Sequence, residues 1–458
     1  MKKVVSNILY VLFLAFALTL MIACAFLIFD CAGSKGQTYN DIEAVAISDS
    51  EVNESNYEPI DNKIYNNTAN EYKLVKTRFG YEALAKDHKK TELYDKIANS
   101  VYRVTNEPDE NGRFRTSRIR MAGIKMSEFD IREVVNAFIC DNPEMFWIEN
   151  LFGYAYVEDN TLVEFYSVLS SDECETYIDV FNNRIDEILA KACTGKTEYE
   201  RERLIHDEVL KHCTYKTGVK GADDGWQYFS AYGALVDGEA VCEGYSKIMQ
   251  VLLSRVGIPS GTIRGEADGV SHMWNVVELG GEWYHLDATW DDNSDDINYE
   301  YFNLTTEGIK KNHIISDSIS AVINSLENSE DIDPLVKYNF YVPMCTSKKM
   351  NYYYAEGLPV NTFDSELNSA LVQKLKDTAN LKESFVPLIF GSEMTYSEYI
   401  NKLFNEAPHE FYYAIESANM ELDDLHKIDI ESVHVLKNES EGTLRVRISY
   451  LSDKEKTE

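Results

Sequence analysis

The chain opens with an almost unbroken apolar run over residues 4–29, then turns polar and acidic until about residue 70. A run of that length exceeds the about 20 residues that a helix needs to cross a hydrocarbon core. Lys2 and Lys3 precede it and acidic residues dominate after it, which orients the remainder outside the cytoplasm. Residues 1–32 are therefore expected to form an N-terminal membrane anchor or signal segment. Ala23-Cys24 is a lipoprotein-type cleavage candidate, although Met21-Ile22 ahead of it suits that role poorly. Residues 33–75, rich in Ser, Asn, Asp and Glu without periodicity, read as a flexible acidic tether.

Helical spacing of apolar residues appears over residues 84–104. Ser127 opens a second helix with Ile131, Val134, Val135 and Phe138 on one face. Strand-like runs at 153–157 and 162–168 flank Asp159-Asn160, a natural hairpin turn, and a long helix is expected over about 172–192. Together, residues 76–195 predict an α+β region. Thr197 and Glu200 have the spacing of a capping box, opening a helix through Leu204, Ile205, Val209 and Leu210. Residues 196–315 predict a central domain. Residues 330–458 predict a further α+β domain, with aromatic strands near 338–341 and 352–354 and a strand over 443–450.

Composition narrows the class. The formal net charge is -33, so the surface repels nucleic-acid phosphate, and no nucleic-acid partner is expected. Eight cysteines show no paired spacing and no C-x-x-C signature. Most are expected to be small buried hydrophobes, with one disulfide open to an exported domain. His206 and His212 lie six apart on one helix, which does not bring them to one face as metal ligands. The acidic loop 291–296 starts like a calcium loop but has Asp296 where glycine belongs and Phe302 where the bidentate glutamate belongs. It is expected to be a solvated turn. Neither a metal nor a cofactor is expected.

Chemistry concentrates in residues 237–292. Tyr245, Ile248, Met249, Leu252, Leu253 and Val256 form a helical stripe, and Gly257 is a C-terminal cap candidate. Asp237-Gly238 breaks the chain beforehand, placing Cys242 in the first helical turn. There the helix dipole and unpaired N–H groups favour a thiolate and can bind an oxyanion. Two strands flank Gly280-Gly281, a preferred two-residue hairpin loop. That turn sets Leu279 opposite Glu282, Trp274 opposite Asp287 and His272 opposite Thr289. His272 and Asp287 become diagonal neighbours on one face, with Cα atoms about 7 to 8 Å apart. An imidazole oriented by Asp287 can take the proton of Cys242. His285 is a rival base on the face of Asp287, but it sits opposite Val276, away from the expected site.

These residues carry a resemblance. Ala231-Tyr232-Gly233-Ala234-Leu235, Val241-Cys242-Glu243-Gly244-Tyr245, Ser271-His272-Met273-Trp274-Asn275 and Trp283-Tyr284-His285-Leu286-Asp287-Ala288-Thr289-Trp290-Asp291 resemble the transglutaminase-like superfamily, in particular its exported bacterial members. The resemblance covers roughly residues 197–312. It implies an α+β fold with a papain-like core, a helix bearing the Cys packed on a sheet bearing His and Asp. The implied roles are nucleophile Cys242, base His272 and orienter Asp287. Ser271 replaces the usual small alanine-like residue. The side-chain oxyanion donor of the family has no clear counterpart, Gln227 and Tyr232 being weak candidates.

The implied activity is attack on amide bonds of protein or peptide substrates through a Cys thioester. Water as acceptor gives hydrolysis and an amine gives cross-linking, and the triad does not choose between them. The substrate is expected outside the cytoplasm, with cell-wall-associated peptides among the options. The competing expectation is a catalytically silent cell-surface interaction protein that retains the fold.

Overall fold

A computed structural model describes residues 42–48, 56–60, 73–293, 296–316 and 339–454. The expected N-terminal anchor lies outside the described residues, as does most of the tether. Among the described residues no helix is long and apolar enough to cross a membrane. The chain divides into two compact units, Met1–Ser347 and Lys348–Glu458.

The first unit begins with a five-stranded sheet. Strand β1 (Glu43–Ala46) runs parallel to β4 (Ile148–Val157). Strand β5 (Asn160–Ser167) returns antiparallel to β4 and carries β2 (Phe114–Arg115) and β3 (Ile119–Met121) on its other edge. The hairpin turn falls one residue earlier than the expected Asp159-Asn160: Glu158-Asp159 form it, Glu158 at positive φ, and Asn160 already pairs with Val157. Helix α1 (His88–Ser100) is shorter than the spacing over 84–104 predicts. The β-branched run after it leaves the helix, and Arg103–Thr105 pairs with Tyr57–Pro59 instead. Helix α2 (Glu128–Asp141) starts at the predicted Ser127 cap and buries Ile131, Val134, Val135 and Phe138. Helix α3 (Ser171–Ala192) is closed at its start by a capping box between Ser170 and Glu173.

The central domain follows within the same unit. Helix α4 (Glu198–His212) has the predicted Thr197–Glu200 capping box. Strand β6 (Thr214–Tyr215) pairs in parallel with β7 (Glu239–Ala240), just ahead of helix α5 (Cys242–Arg255). A four-stranded antiparallel sheet comes next: β8 (Ser260–Ala267), β9 (Val270–Leu279), β10 (Glu282–Leu286) and β11 (His313–Ile315), in the order β10-β9-β8-β11. Gly280 and Gly281 both sit at positive φ, the conformation their two-residue turn demands. Register across the turn is the predicted one, from Leu279 opposite Glu282 to Asn275 opposite Leu286.

Two side-chain contacts lock α5 to β9. Ser246 Oγ donates to the Met273 carbonyl at 2.9 Å, and Asn275 Nδ2 donates to the Ser246 carbonyl at 2.9 Å. Period two turns His272, Trp274 and Val276 to a common face, where Trp274 and Val276 pack with Ile263 and Ile309.

The second unit is a four-stranded mixed sheet with helices. Strands β12 (Leu358–Val360), β13 (Phe385–Phe390), β14 (His434–Asn438) and β15 (Thr443–Arg447) take the order β12-β13-β15-β14. Leu371, Leu375, Val386, Leu388, Phe411 and Val446 are among its buried core residues. Residues 352–354, predicted as a strand, lie in a helix, Tyr352–Glu356. Asn351 caps it, its side chain accepting from the Tyr353 N–H at 3.2 Å, and this local cap outweighs the strand preference of three tyrosines.

Candidate active site

Cys242 is the first residue of α5, preceded by Val241 in extended conformation. The first N–H groups of a helix have no intrahelical acceptor, so this position offers positive potential to a thiolate. Gly244 is dictated by space: a Cβ there would lie 2.7 Å from Ala240 Cβ and 3.0 Å from the carbonyl oxygens of Ser230 and Tyr228. The chain can thus pass closely across the first turn beside the thiol.

His272 lies near the start of β9, and Asp287 follows the last residue of β10. The ladder stops at Asn275–Leu286, so the predicted pairs Trp274–Asp287 and His272–Thr289 do not form. Residues Ala288–Asp291 turn helical instead, with Asp287 as the cap. Its Oδ1 accepts from the N–H groups of Thr289 (3.0 Å) and Trp290 (3.2 Å). Its Oδ2 contacts His272 Nε2 at 2.6 Å. The hairpin therefore brings the two together as expected, while a cap rather than a strand pair finishes the arrangement.

Cys242, His272 and Asp287 are all buried. Burial alone would lower the His272 pKa, but the charges of Asp287 and Cys242 and hydrogen bonds to both outweigh it and raise it to about 10. Burial would raise Asp287, yet the His272 charge and the hydrogen bonds from His272 and His313 hold it well below the usual carboxylate range. A carboxylate in that range cannot donate, so His272 must present Nε2–H to it. This leaves Nδ1 for the thiol. The electrostatics fit an imidazolium held between the Asp287 carboxylate and the Cys242 sulfur.

The rival base is excluded by contact as well as by position. His285 is buried, its Nδ1 accepts from Trp274 Nε1 at 3.1 Å, and burial with nearby positive charge lowers its pKa to about 4. The two oxyanion candidates are also engaged elsewhere. Tyr232 stacks within an aromatic cluster, 4.9 Å from both Tyr177 and Phe146. Gln227 lies in the short helical turn Trp226–Phe229, packed against Gly225. Tyr215 of β6, which the sequence did not single out, is the hydroxyl whose ionisation is opposed by burial and then by the charges of Cys242 and Asp287.

His313 was also absent from the sequence reading. It is buried on the edge strand β11, opposite Ala267, and its Nε2 lies 2.9 Å from Asp287 Oδ2. No motif or spacing marks it, because its place depends on how β11 docks onto β8. His272, Asp287 and His313 could together hold a metal ion. Two ligand atoms on a tetrahedral zinc lie about 3.3 Å apart, given bonds of about 2.0 Å. The 2.6 and 2.9 Å separations are shorter, so in this arrangement both are hydrogen bonds.

Behind the turn, two carboxylates of the acidic loop point inward rather than to solvent. Asp291 faces His206 at 3.3 Å, both fully buried, and Asp292 accepts from the Tyr245 hydroxyl. A cavity of about 670 Å³ lies elsewhere in this unit, lined by residues that include Phe146, Trp226, Phe229, Glu243 and Lys247. Cys242, His272 and Asp287 do not line it.

Residues 187–288 match the family model described as the transglutaminase-like superfamily. No curated protein matches the chain. Among solved structures, a TGase matches at 14% identity and a TM-score of 0.24, covering 39% of this chain and 52% of its own. A candidate cysteine protease from Cytophaga hutchinsonii matches at 14% identity and 0.21, covering 31% and 62%. A candidate protease from Parabacteroides distasonis matches at 7% identity and 0.21, covering 68% and 65%. The chain thus spans about half to two thirds of the length of these structures.

Proposed function

We propose that this chain, whose residues 187–288 form a transglutaminase-like domain, is a thiol enzyme acting on amide bonds of protein or peptide substrates. Cys242 is the nucleophile, His272 the base and Asp287 the residue that orients the base. The Cys242 sulfur attacks the amide carbonyl carbon, the amine leaves with a proton from His272, and a thioester remains. Water or a second amine then releases the acyl group, with His272 accepting its proton. Hydrolysis and amine transfer share these steps, and both belong to the proposal. The substrate is extracytoplasmic, and residues 1–32 tether the enzyme to the membrane.

The observation that carries this reading is the 2.6 Å contact between His272 Nε2 and Asp287, which leaves the other ring nitrogen for Cys242. One observation favours the silent interaction protein instead: Cys242 is fully buried. Incubating the chain with casein and a labelled primary amine, and scoring label incorporation against cleavage, separates the possibilities. Either product, lost in Cys242→Ala, supports the enzyme. Neither product from the wild type, with Cys242 alkylated no faster than an ordinary thiol, supports the silent reading.

A further inference from the structure

Asp287 Oδ2 serves two imidazoles, and a Cys-His-Asp triad uses only one of them. The second, His313, meets it at 2.9 Å from the opposite edge of the sheet. As for His272, the carboxylate cannot donate, so His313 must present Nε2–H. Its other ring nitrogen is held as well: Asn312 Oδ1 accepts from Nδ1–H at 2.7 Å, so both ring nitrogens carry a proton. Asn312 Nδ2 in turn donates to the Tyr301 hydroxyl at 2.6 Å. The ring is enclosed by Trp290 at 4.9 Å, Trp274 at 5.1 Å and Tyr301 at 5.6 Å. Each contact fixes the ring plane so that Nε2 aims at one oxygen.

We propose that His313 is a positioning residue for the triad: it shares Asp287 Oδ2 with His272 and thereby limits how firmly the carboxylate holds the base. The physical reason is competition. An oxygen that accepts two N–H donors gives less electron density to each. A carboxylate serving His272 alone would bind the imidazolium more strongly and delay return of its proton to the leaving amine. Besides Asp287, three groups face one or other imidazole, namely Cys242 on α5, His285 on β10 and Tyr301 ahead of β11, while Tyr215 on β6 acts on Cys242 and Asp287. Asp291 lies behind the turn. Removing the ring nitrogens of His313 leaves these in place, frees one lone pair of Oδ2 and takes a positive charge from beside it, so the His272 imidazolium should persist to higher pH.

The rate consequence rests on the thiol-enzyme reading; the hydrogen-bond assignment does not. The test therefore uses histidine-selective ¹⁵N and ¹H NMR of the whole chain, followed as a pH profile, alongside turnover. In the wild type, both His272 and His313 should show a protonated Nε2 with a downfield, slowly exchanging N–H. His313→Phe, which keeps a ring but no donor, should lose one signal and move the other further downfield. The His272 imidazolium signal should persist to higher pH, and turnover should fall roughly tenfold, the low end for one hydrogen bond to a charged group. His313→Gln, which restores an N–H donor, should move both readouts back toward wild type. An unprotonated His313 Nε2 in the wild type overturns the proposal even if the variants fail to fold. So does a His313→Phe protein whose His272 signal and pH profile are unchanged. Normal signals with no turnover in the wild type would instead leave His313 in place and refute the enzyme reading.

Discussion

Replacing Asp287 by asparagine removes one charge without changing the shape of the side chain, and the structure shows that it cannot be neutral. Each carboxylate oxygen of Asp287 accepts two hydrogen bonds: Oδ2 from His272 and His313, Oδ1 from the Thr289 and Trp290 N–H groups. Asparagine has one oxygen and one amide nitrogen, so one pair of donors must face another donor. If the oxygen stays with the histidines, the helical turn loses its cap and two partly buried N–H groups lose their acceptor. For partly buried groups each such loss costs about 1 to 2 kcal/mol, so the variant should lose about 2 to 4 kcal/mol. For a unit of this size that lowers the melting temperature by about 5 to 15 °C. If the oxygen turns to the cap, His272 Nε2 must become an acceptor and its proton moves to Nδ1, facing Cys242. A base already protonated toward the thiol cannot accept its proton, and turnover should fall by about 10³- to 10⁴-fold. The assay pairs thermal melting with the rate of Cys242 alkylation at neutral pH. Asp287→Asn that matches the wild type in both would refute the hydrogen-bond accounting.

Two other perturbations address the support around the site. Gly244→Ala places a methyl group 2.7 Å from Ala240 Cβ; overpacking should cost about 1 to 3 kcal/mol and slow alkylation of the adjacent thiol, as read by melting and labelling kinetics. Buried groups with raised pKa values should make the first unit less stable in alkali. In His206, burial is outweighed by Asp207 and Asp291, raising it to about 9, while burial raises Glu202 to about 8. A raised folded pKa gives stability that is present below the unfolded pKa and lost as pH rises through the folded value. For His206 that window runs from the ordinary histidine value of 6.5 to about 9. Melting temperature should fall across it, and His206→Gln should flatten the decline; a flat wild-type profile would contradict the assignment.

Much of the site was legible because it depends on local rules. Gly280-Gly281 sets the register of β9 against β10, and the apolar stripe from Tyr245 places Cys242 at a helix start. The same locality explains the readable caps at Ser127 and Thr197. What could not be read came from long-range docking. His313 reaches Asp287 across a sheet whose outer strand is far from β10 in sequence. Tyr215 approaches Cys242 through the short parallel pairing of β6 with β7. The inward turn of Asp291 follows from a partner, His206, on a helix that hydrophobic spacing treats as packing alone. Local preference also misled: three tyrosines suggested a strand where the Asn351 cap made a helix, residues 339–341 form no strand although their aromatics suggested one, and the apolar spacing over 84–104 overran the helix end at Ser100.

The central claim is that Cys242 carries the acyl group. Rapid quenching of the chain in acid after mixing with an activated acyl ester or a glutamine-containing peptide, followed by intact-mass and peptide analysis, tests it directly. The account predicts an added mass equal to the acyl group on Cys242, discharged by hydroxylamine and absent from Cys242→Ala. Turnover with no adduct on Cys242, or turnover that survives Cys242→Ala, would contradict it.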